Sequence, residues 1–383
     1  MYRKLTANQI FNGYEILPED SVLILAKNGV IEDIVKQEDA GDDIERFSGM
    51  LSPGFVNCHC HLELSHMRGL VPKHTGLIEF LMKIVENRQA TEEEIQIAIE
   101  AAEYEMIQNG IVAVGDICNN TNTIFQKSKS NLHYQNFIEV AGFPDGIADK
   151  RFNAIQEIYH DFEKISKFNS IVPHAPYSVS TSLLEKITSF AGNEIMTMHN
   201  QETLAENQLY ENMEGDFLPF YQKLNIQADN FTAKGKSSLQ YFLPFFKLNQ
   251  PLILVHNVYT KEEDIVYAQT IYNMNNPPLY FCLCPHANQY ISNKLPDVDM
   301  FVKNNINLVL GTDSLASNDQ LSIWEEIKLL QQHFPHINIS EMLKWATSNG
   351  ARALKIDERY GSFEVGKRPG VVLIGDNSEC SPL

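Results

Sequence analysis

Short apolar runs alternate with amphipathic stretches along most of this chain. Eight runs are apolar on nearly every position, which predicts strands buried on both faces. They lie at 54–60, 111–117, 136–140, 170–174, 195–199, 252–256, 279–284 and 307–310. The stretches between them are helix-like, and two begin with a Ser/Thr-x-x-Glu capping box, Thr91 with Glu94 and Thr260 with Glu263. The pattern predicts strands and helices in strict alternation.

Eight such strand–helix units favour parallel strands covered by helices. The most economical arrangement is an α/β fold of the closed (β/α)8 TIM-type barrel, and a doubly wound open sheet is the alternative. We expect the barrel to occupy residues 53–354.

The two ends of the chain have a different pattern. Short candidate strands at 14–15, 21–25, 30–35 and 44–47 are separated by turn residues, as in a meander of hairpins. The segment near the carboxyl terminus, at 361–376, shows the same pattern of short apolar runs and turn residues. We therefore expect residues 1–52 plus 355–383 to form a small β-domain beside the barrel.

Composition and charge narrow the class of protein. The chain has 383 residues, of which 44% are hydrophobic and 21% charged, as in an ordinary globular protein. The 49 acidic and 30 basic residues give a formal net charge of −19, which disfavours nucleic acid and anionic membranes as partners. No apolar run approaches the roughly 18 residues of a spanning helix, and the start lacks the apolar run of a signal peptide. A cytoplasmic protein is expected.

Side chains that can bind metals recur where the predicted strands end. His59 and His61 are two positions apart, so the strand period points both imidazoles in the same direction. Candidates of the same kind follow other runs: His174, His199, His256 and, after the eighth run, Asp313. Taken singly, each has a structural alternative such as capping a neighbouring helix. Their conjunction at the mouth of a barrel favours a metal site.

Four of the six cysteines form two Cys-x-Cys pairs, Cys58 with Cys60 and Cys282 with Cys284. The first pair alternates with the histidines and so faces the covering helices, where a thiol acts as a small core residue. The direction of the second pair is not fixed by the pattern. We prefer core packing for it, with thiolate ligation of a metal as the alternative.

Glu202 lies three positions after His199, just beyond the end of a predicted strand. A carboxylate there can take a proton from a water activated by the metal and then pass it to a substrate. The alternative is that its charge favours the first turn of the next helix. Its place beside His199 favours proton transfer.

The motifs at these strand ends resemble those of the amidohydrolase superfamily. The resemblance is to its mononuclear-metal branch, which contains cytosine, guanine, adenosine-homocysteine and aminodeoxyfutalosine deaminases and the triazine chlorohydrolases. It covers essentially the whole chain. The motifs that carry it are PGFVNCHCHLELSHMRG (53–69), PHAPYSVS (173–180), MHNQET (198–203), LVHNVYTKEE (254–263), CPHANQYIS (284–292) and GTDSLASND (311–319).

The resemblance implies roles for single residues. One divalent metal ion, zinc by preference and iron as the alternative, would be held by His59, His61, His199 and Asp313. The catalytic residues would be Glu202 as general acid/base, His256 and Asp313. Substrate contacts would come from Arg68, His174 and Glu63. The seventh motif departs from the family pattern, so the roles of His286 and Asn288 stay open.

The function that the resemblance implies is hydrolytic deamination of an amino-substituted heterocycle, with release of ammonia. The substrate would be a purine or pyrimidine base, or an adenosine-type nucleoside such as aminodeoxyfutalosine. Hydrolysis of a cyclic amide or dechlorination of a triazine by the same activated water is the alternative, and a catalytically silent barrel that acts as a scaffold is a remote one. The partner is a small molecule, and a homodimer is a candidate for the assembly. A carboxylated substrate would need positive charge at the mouth, for which Arg68, Lys73 and Arg151 are available.

Overall fold

The computed structural model describes residues 2–228, 231–272, 279–377 and 379–383. Its strands are β1 (Arg3–Ile10), β2 (Ser21–Leu25), β3 (Ile31–Lys36), β4 (Glu45–Pro53), β5 (Phe55–Cys60), β6 (Ile111–Cys118), β7 (His133–Val140), β8 (Asn169–Pro173), β9 (Met196–Asn200), β10 (Leu252–His256), β11 (Leu279–Leu283), β12 (Asn307–Leu310), β13 (Val371–Ile374) and β14 (Cys380–Pro382).

The helices are α1 (Leu77–Asn87), α2 (Glu92–Gln108), α3 (Ile124–Ser128), α4 (Ala148–Glu163), α5 (Thr181–Ser189), α6 (Leu204–Asn212), α7 (Phe217–Lys223), α8 (Ser238–Phe242), α9 (Glu262–Ile271), α10 (Pro285–Ser292), α11 (Val298–Lys303), α12 (Ile323–His333), α13 (Ile339–Ala346) and α14 (Ser348–Ala353). Short 3₁₀ helices lie at Leu62–Met67, Asp145–Ile147, Pro176–Ser178 and Leu243–Phe245. None of the helices in the described ranges is long and apolar enough to cross a membrane.

The eight strands that follow β4 form two parallel sheets of four. Their orders are β5-β6-β7-β8 and β9-β10-β11-β12, and each neighbouring pair is parallel. Helices connect successive strands, and nearly every strand residue is buried. These are the eight predicted strands, and the α/β class is confirmed.

The outer strands of the two sheets also meet. Between β8 and β9, the His199 amide donates to the His174 carbonyl at 2.9 Å. Between β5 and the end of β12, Cys60 and Asp313 form a parallel bridge, and the amides of Thr312 and Asp313 both donate to the His59 carbonyl at 3.0 Å. The carboxyl ends of the strands that carry the candidate ligands therefore lie side by side.

Both ends of the chain contribute to a third, mixed sheet of order β14-β13-β4-β1-β2-β3. Buried side chains of this sheet, among them Leu5 and Leu23, form a small hydrophobic cluster together with Phe363. The strands predicted near 21–25, 30–35 and 44–47 are present. The one predicted at 14–15 is wrong, and β1, at Arg3–Ile10, was missed because its mixed polar sequence lacks a clear period of two.

One capping box is confirmed and the other is displaced. The Glu94 amide donates to Thr91 Oγ1 at 3.2 Å, and the Thr91 amide donates to Glu94 Oε2 at 2.9 Å. The box predicted at Thr260 is wrong, because that hydroxyl donates instead to Gln201 Oε1 at 2.7 Å. Helix α9 begins one residue later, where the Lys261 amide donates to the carboxylate of Asp264.

A buried ion pair holds the start of the loop that follows β5. Lys127 Nζ on α3 lies 2.5 Å from Asp116 Oδ2 on β6, and both side chains are almost fully buried. The other oxygen of Asp116 accepts the Leu62 amide at 2.8 Å, directly after His61. The pair therefore fixes β6 and α3 to the backbone that carries His61.

Substitution Lys127→Met should reduce the free energy of unfolding by about 3–5 kcal/mol, because it leaves Asp116 as an uncompensated buried charge. The matched control is Lys129→Met, which removes a more exposed lysine paired with Glu100 and should cost less than about 1 kcal/mol. Urea unfolding followed by circular dichroism measures both. Equal stability of the two variants would contradict this account of the ion pair.

Candidate active site

Five side chains that can bind a metal converge at the carboxyl ends of the parallel strands. They are His59 and His61 on β5, His199 on β9, His256 on β10 and Asp313 just after β12. All five are buried. The alternation within β5 places both of its imidazoles on the inner side, as the sequence predicts.

Three of these groups form a compact triangle of donor atoms. The Nε2 atoms of His59 and His61 are 3.2 Å apart, and Asp313 Oδ1 lies 3.6 Å and 3.4 Å from them, respectively. The point in the plane of these three atoms that is equidistant from them lies about 2.0 Å from each, which is a zinc–ligand distance. The three groups therefore fit a divalent metal ion.

His199 can add a fourth donor. Its Nδ1 donates to the His174 carbonyl at 2.8 Å, which leaves Nε2 free to act as a ligand. The rings of His59 and His199 lie with centroids 4.9 Å apart. Three imidazoles and one carboxylate suit zinc and iron alike.

The protonation states match those of metal ligands. Burial lowers the pKa of His61 well below its ordinary value and that of His199 to about 4, so both imidazoles are neutral near pH 7. Burial opposes ionisation of Asp313, but its contacts with His59, His61 and His256 hold its pKa well below the usual range. Neutral imidazoles and an ionised carboxylate are the forms that bind metals.

Glu202 lies beside this cluster, with Oε1 3.7 Å from His256 Nε2. Burial, followed by the charges of Asp313 and Glu206, raises the pKa of Glu202 well above its ordinary value. A carboxylate in this environment accepts a proton readily, as a group that exchanges protons with a substrate must.

Gln201 determines where Glu202 points. It has a left-handed backbone, with φ of 47°, directly after β9. Its amide donates to Glu206 Oε1 at 2.9 Å, and its side-chain nitrogen donates to Asp264 Oδ2 at 2.9 Å. Since its carbonyl also accepts the Tyr259 amide at 2.8 Å, the turn before Glu202 is held on several sides.

Asn288 orients His256, a role that the sequence left open. Asn288 Nδ2 donates to His256 Nδ1 at 3.0 Å, so the proton of the neutral imidazole is on Nε2, the atom that faces Glu202. His286 points elsewhere: its amide donates to Glu326 and its ring contacts the Glu325 carbonyl. The seventh motif, which departs from the family pattern, therefore contributes Asn288 to the site.

His61, His199, His256 and Asp313 of the cluster line a cavity of about 630 Å³, as does Glu202. Most of the remaining wall is apolar and comes from α1, α4, α7 and the loop after β7, including Phe80, Ile84, Phe143, Ile158, Phe220 and Tyr221. Arg88 and Arg151 also line it. The cavity therefore combines candidate metal ligands with a mainly apolar wall.

The three residues predicted to contact the substrate lie in three different surroundings. His174 lines the cavity, and its Nδ1 is 2.6 Å from Ser178 Oγ. Arg68 is not among the residues that line it: its guanidinium is half-exposed and pairs with Glu105, and its contact with a substrate stays a prediction. Glu63 is buried behind the wall, where Oε2 accepts the amides of Asn119 and Asn120 at 2.9 Å and 3.2 Å.

The two cysteine pairs lie in the core. All four thiols are buried and free, and none belongs to a metal-capable group among the described residues. Sequence reasoning missed Asn119 and Glu139, which also line the cavity. Glu139 could have been found, because it is an acidic residue one position before the end of the strand predicted at 136–140.

The family model of the amidohydrolase family matches residues 50–382 of the chain. The chain belongs to the amidohydrolase family. The resemblance noted from the sequence motifs is confirmed, and hydrolases of this family that act on C–N bonds are its relatives.

Particular relatives of this amidohydrolase are deaminases. The aminodeoxyfutalosine deaminase of Nitratiruptor sp. is 28% identical over 339 residues, which cover 85% of this chain and 79% of the relative. In fold, the chain is similar to Helicobacter pylori aminofutalosine deaminase in complex with methylthio-coformycin, with a TM-score of 0.84, 23% identity and coverage of 98% and 93% of the two chains. It is also similar to an adenosine deaminase from Xanthomonas campestris with bound zinc, with a TM-score of 0.74, 22% identity and coverage of 97% and 84%.

Substitution Gly311→Ala should weaken metal binding by about tenfold or more, because it displaces His59, one of the candidate ligands. A methyl group at Gly311 would lie 2.8 Å from His59 Cβ and 2.9 Å from its carbonyl oxygen, which is too close for either contact. The control is Gly146→Ala, since a methyl group there meets nothing within 4 Å. Chelator competition measures zinc affinity, and an unchanged affinity for Gly311→Ala would contradict this reading of the contact.

Proposed function

We propose that this amidohydrolase is a metal-dependent deaminase that hydrolyses the exocyclic amine of an adenosine-type nucleoside and releases ammonia. The observation that carries the proposal is the meeting, in one cavity, of the ligand cluster, the buried carboxylate of Glu202 and a long apolar wall. The deaminase relatives support it.

The ligands proposed for the metal ion are His59, His61, His199 and Asp313, and the proposed ion is zinc. The ligand chemistry and the zinc in the Xanthomonas adenosine deaminase support this choice, with iron as the alternative. When bound, the ion supplies the positive charge that lets a water lose a proton near neutral pH. The protein groups then have to move that proton and orient the substrate.

Glu202 is the proposed carrier of the proton. Its carboxylate takes a proton from the attacking water and gives it to a ring nitrogen of the heterocycle, while the new C–O bond forms at the carbon that bears the amine. The C–N bond then breaks, and the nitrogen leaves as ammonia with the second proton of the water. The products are ammonia and the corresponding oxo-heterocycle.

His256 is proposed to donate a hydrogen bond during this step. Because Asn288 donates to Nδ1, the Nε2–H of His256 faces Glu202 and the reacting groups. Burial lowers the pKa of His256 well below its ordinary value, so the ring is a neutral donor. A donor fixed before the reaction stabilises the negative charge that develops.

The apolar part of the cavity is proposed to hold a substituent of the nucleoside. A free base would leave the wall formed by α1, α4 and α7 without a partner. Arg88 and Arg151 line the same cavity and can meet a carboxylate, as aminodeoxyfutalosine would require. Lys73 is instead paired with Asp319 at 2.7 Å.

The finer architecture remains part of the proposal. A closed eight-stranded barrel over residues 53–354 is supported by the hydrogen bonds between the outer strands of the two parallel sheets. A separate β-domain of residues 1–52 plus 355–383 is supported by the mixed sheet and its own hydrophobic cluster. A cytoplasmic location and a homodimer stay predictions from the sequence.

Substitution Glu202→Gln should lower the rate of ammonia release by about 10²–10⁴-fold, because an amide cannot take up the proton. The zinc content should stay at the wild-type level, since Glu202 is not one of the proposed ligands. Coupled detection of ammonia and metal analysis of the same preparation give the two readouts. Near-normal ammonia release by this variant would rule out the role given to Glu202.

The catalytic efficiency should rise along a series of adenosines with longer 5′-alkylthio groups, by about fourfold for each methylene that becomes buried. Adenine, guanine and cytosine lack a group for the apolar wall and should react more slowly. A chlorotriazine tests the alternative function, because dechlorination releases chloride and no ammonia. Preference for a free base or for the triazine would overturn the proposed substrate class.

A further inference from the structure

Glu139 lies beside the metal cluster without being one of its proposed ligands. It is near the carboxyl end of β7 and is buried, with Oε1 3.4 Å from Nδ1 of His199. That nitrogen already donates to the His174 carbonyl at 2.8 Å, so Glu139 Oε1 lies near the N–H without accepting a hydrogen bond from it. Glu139 Oε1 has no hydrogen-bond partner among the described residues.

The oxygen that faces His199 is also shielded from the cavity. Glu139 Oε1 is itself buried, although other parts of the residue line the cavity wall. A substrate in the cavity would therefore not reach this atom in the arrangement described. This oxygen instead lies 3.4 Å from the imidazole Nδ1 of the proposed ligand His199.

Asn119 holds the carboxylate of Glu139 in place. Its side-chain nitrogen donates to Glu139 Oε2 at 3.0 Å and to the Glu139 carbonyl at 3.2 Å. The Asn119 amide donates to Glu63 Oε2 at 2.9 Å, and Glu63 follows His61 by two positions. Hydrogen bonds thus connect Glu63, in the loop after one proposed ligand, through Asn119 to Glu139, whose other carboxylate oxygen lies 3.4 Å from Nδ1 of the second proposed ligand.

This arrangement brings three buried carboxyl groups together. Glu63, Glu139 and Asp313 are each at most 6% exposed, and none of them forms an ion pair with a lysine or arginine in the described parts of the chain. A divalent cation at the proposed ligands would supply positive charge beside Asp313 and Glu139.

We propose that the chain Glu63–Asn119–Glu139 positions His199 and strengthens its bond to the metal ion. Glu139 is the positioning residue, because its carboxylate polarises the Nδ1–H of His199 and makes Nε2 a better donor to the metal. Asn119 fixes the direction of that carboxylate, and Glu63 fixes Asn119. The inference rests on the proposed metal site and not on the proposed substrate.

The test compares the zinc affinity of Glu139→Gln with that of the wild type, by competition with a chelator. The neutral amide has nearly the same shape, so the expected result is a dissociation constant about 10–100-fold higher. Glu63→Gln leaves the contact between Glu139 and His199 intact and should weaken binding in the same direction by less. In the cobalt-substituted protein, Glu139→Gln should also shift the visible absorption bands, which report on the ligands themselves.

The matched control is Glu103→Gln. Glu103 is equally buried and accepts hydrogen bonds from Tyr134 at 2.9 Å and from Asn131 at 2.8 Å, but it contacts none of the proposed ligands. Its substitution should leave zinc affinity and the cobalt spectrum unchanged. Wild-type affinity in Glu139→Gln, or equal weakening in Glu103→Gln, would overturn the inference. A protein that behaves as expected here but deaminates nothing would overturn the proposed function alone.

Discussion

The burial of carboxyl groups at the carboxyl ends of the strands is the constraint on which the rest of the site depends. Asp313, Glu202 and Glu139 are all at most 6% exposed, and each has a histidine nitrogen within 4 Å. Neutral imidazoles supply no positive charge, so ionising these buried groups is costly, and burial raises the pKa of Glu202 and of Glu139. A divalent cation would offset that cost, so metal binding and folding of the mouth are expected to be coupled.

Unusual backbone conformations fix the positions of several side chains in this site. Gln201, His256 and Asp313 all have left-handed backbone, with φ of 47°, 75° and 57°, at or just after strand ends. Such conformations are unfavourable for residues other than glycine and persist only where the surroundings hold them. Here buried hydrogen bonds do so, for example from the Gln201 amide to Glu206 and from Ser317 Oγ to Asp313 at 2.6 Å. These hydrogen bonds hold the unfavourable backbone conformations in place and so fix the directions in which the side chains point.

The predictions that succeeded rest on local pattern. Eight apolar runs specify eight strands because burial on both faces leaves a signature within five or six residues. The pair His59 and His61 could be assigned to one side of a strand for the same reason, since the period of two is a property of the backbone. Prediction failed where the local signal was ambiguous: β1 carries mixed polar residues, and Thr260 matches a capping signature but bonds to Gln201, a residue distant in sequence.

The sequence by itself determined the strand–helix alternation, the residue types at the strand ends and hence membership of the amidohydrolase family. Tertiary structure decided which of these groups meet. It placed Arg68 against Glu105 on the surface, and it brought Asn288 to His256 and Glu139 to His199. These pairings join residues 32 and more positions apart, and their distances depend on how whole strands and helices pack. Short-range periodicity carries no information about such packing.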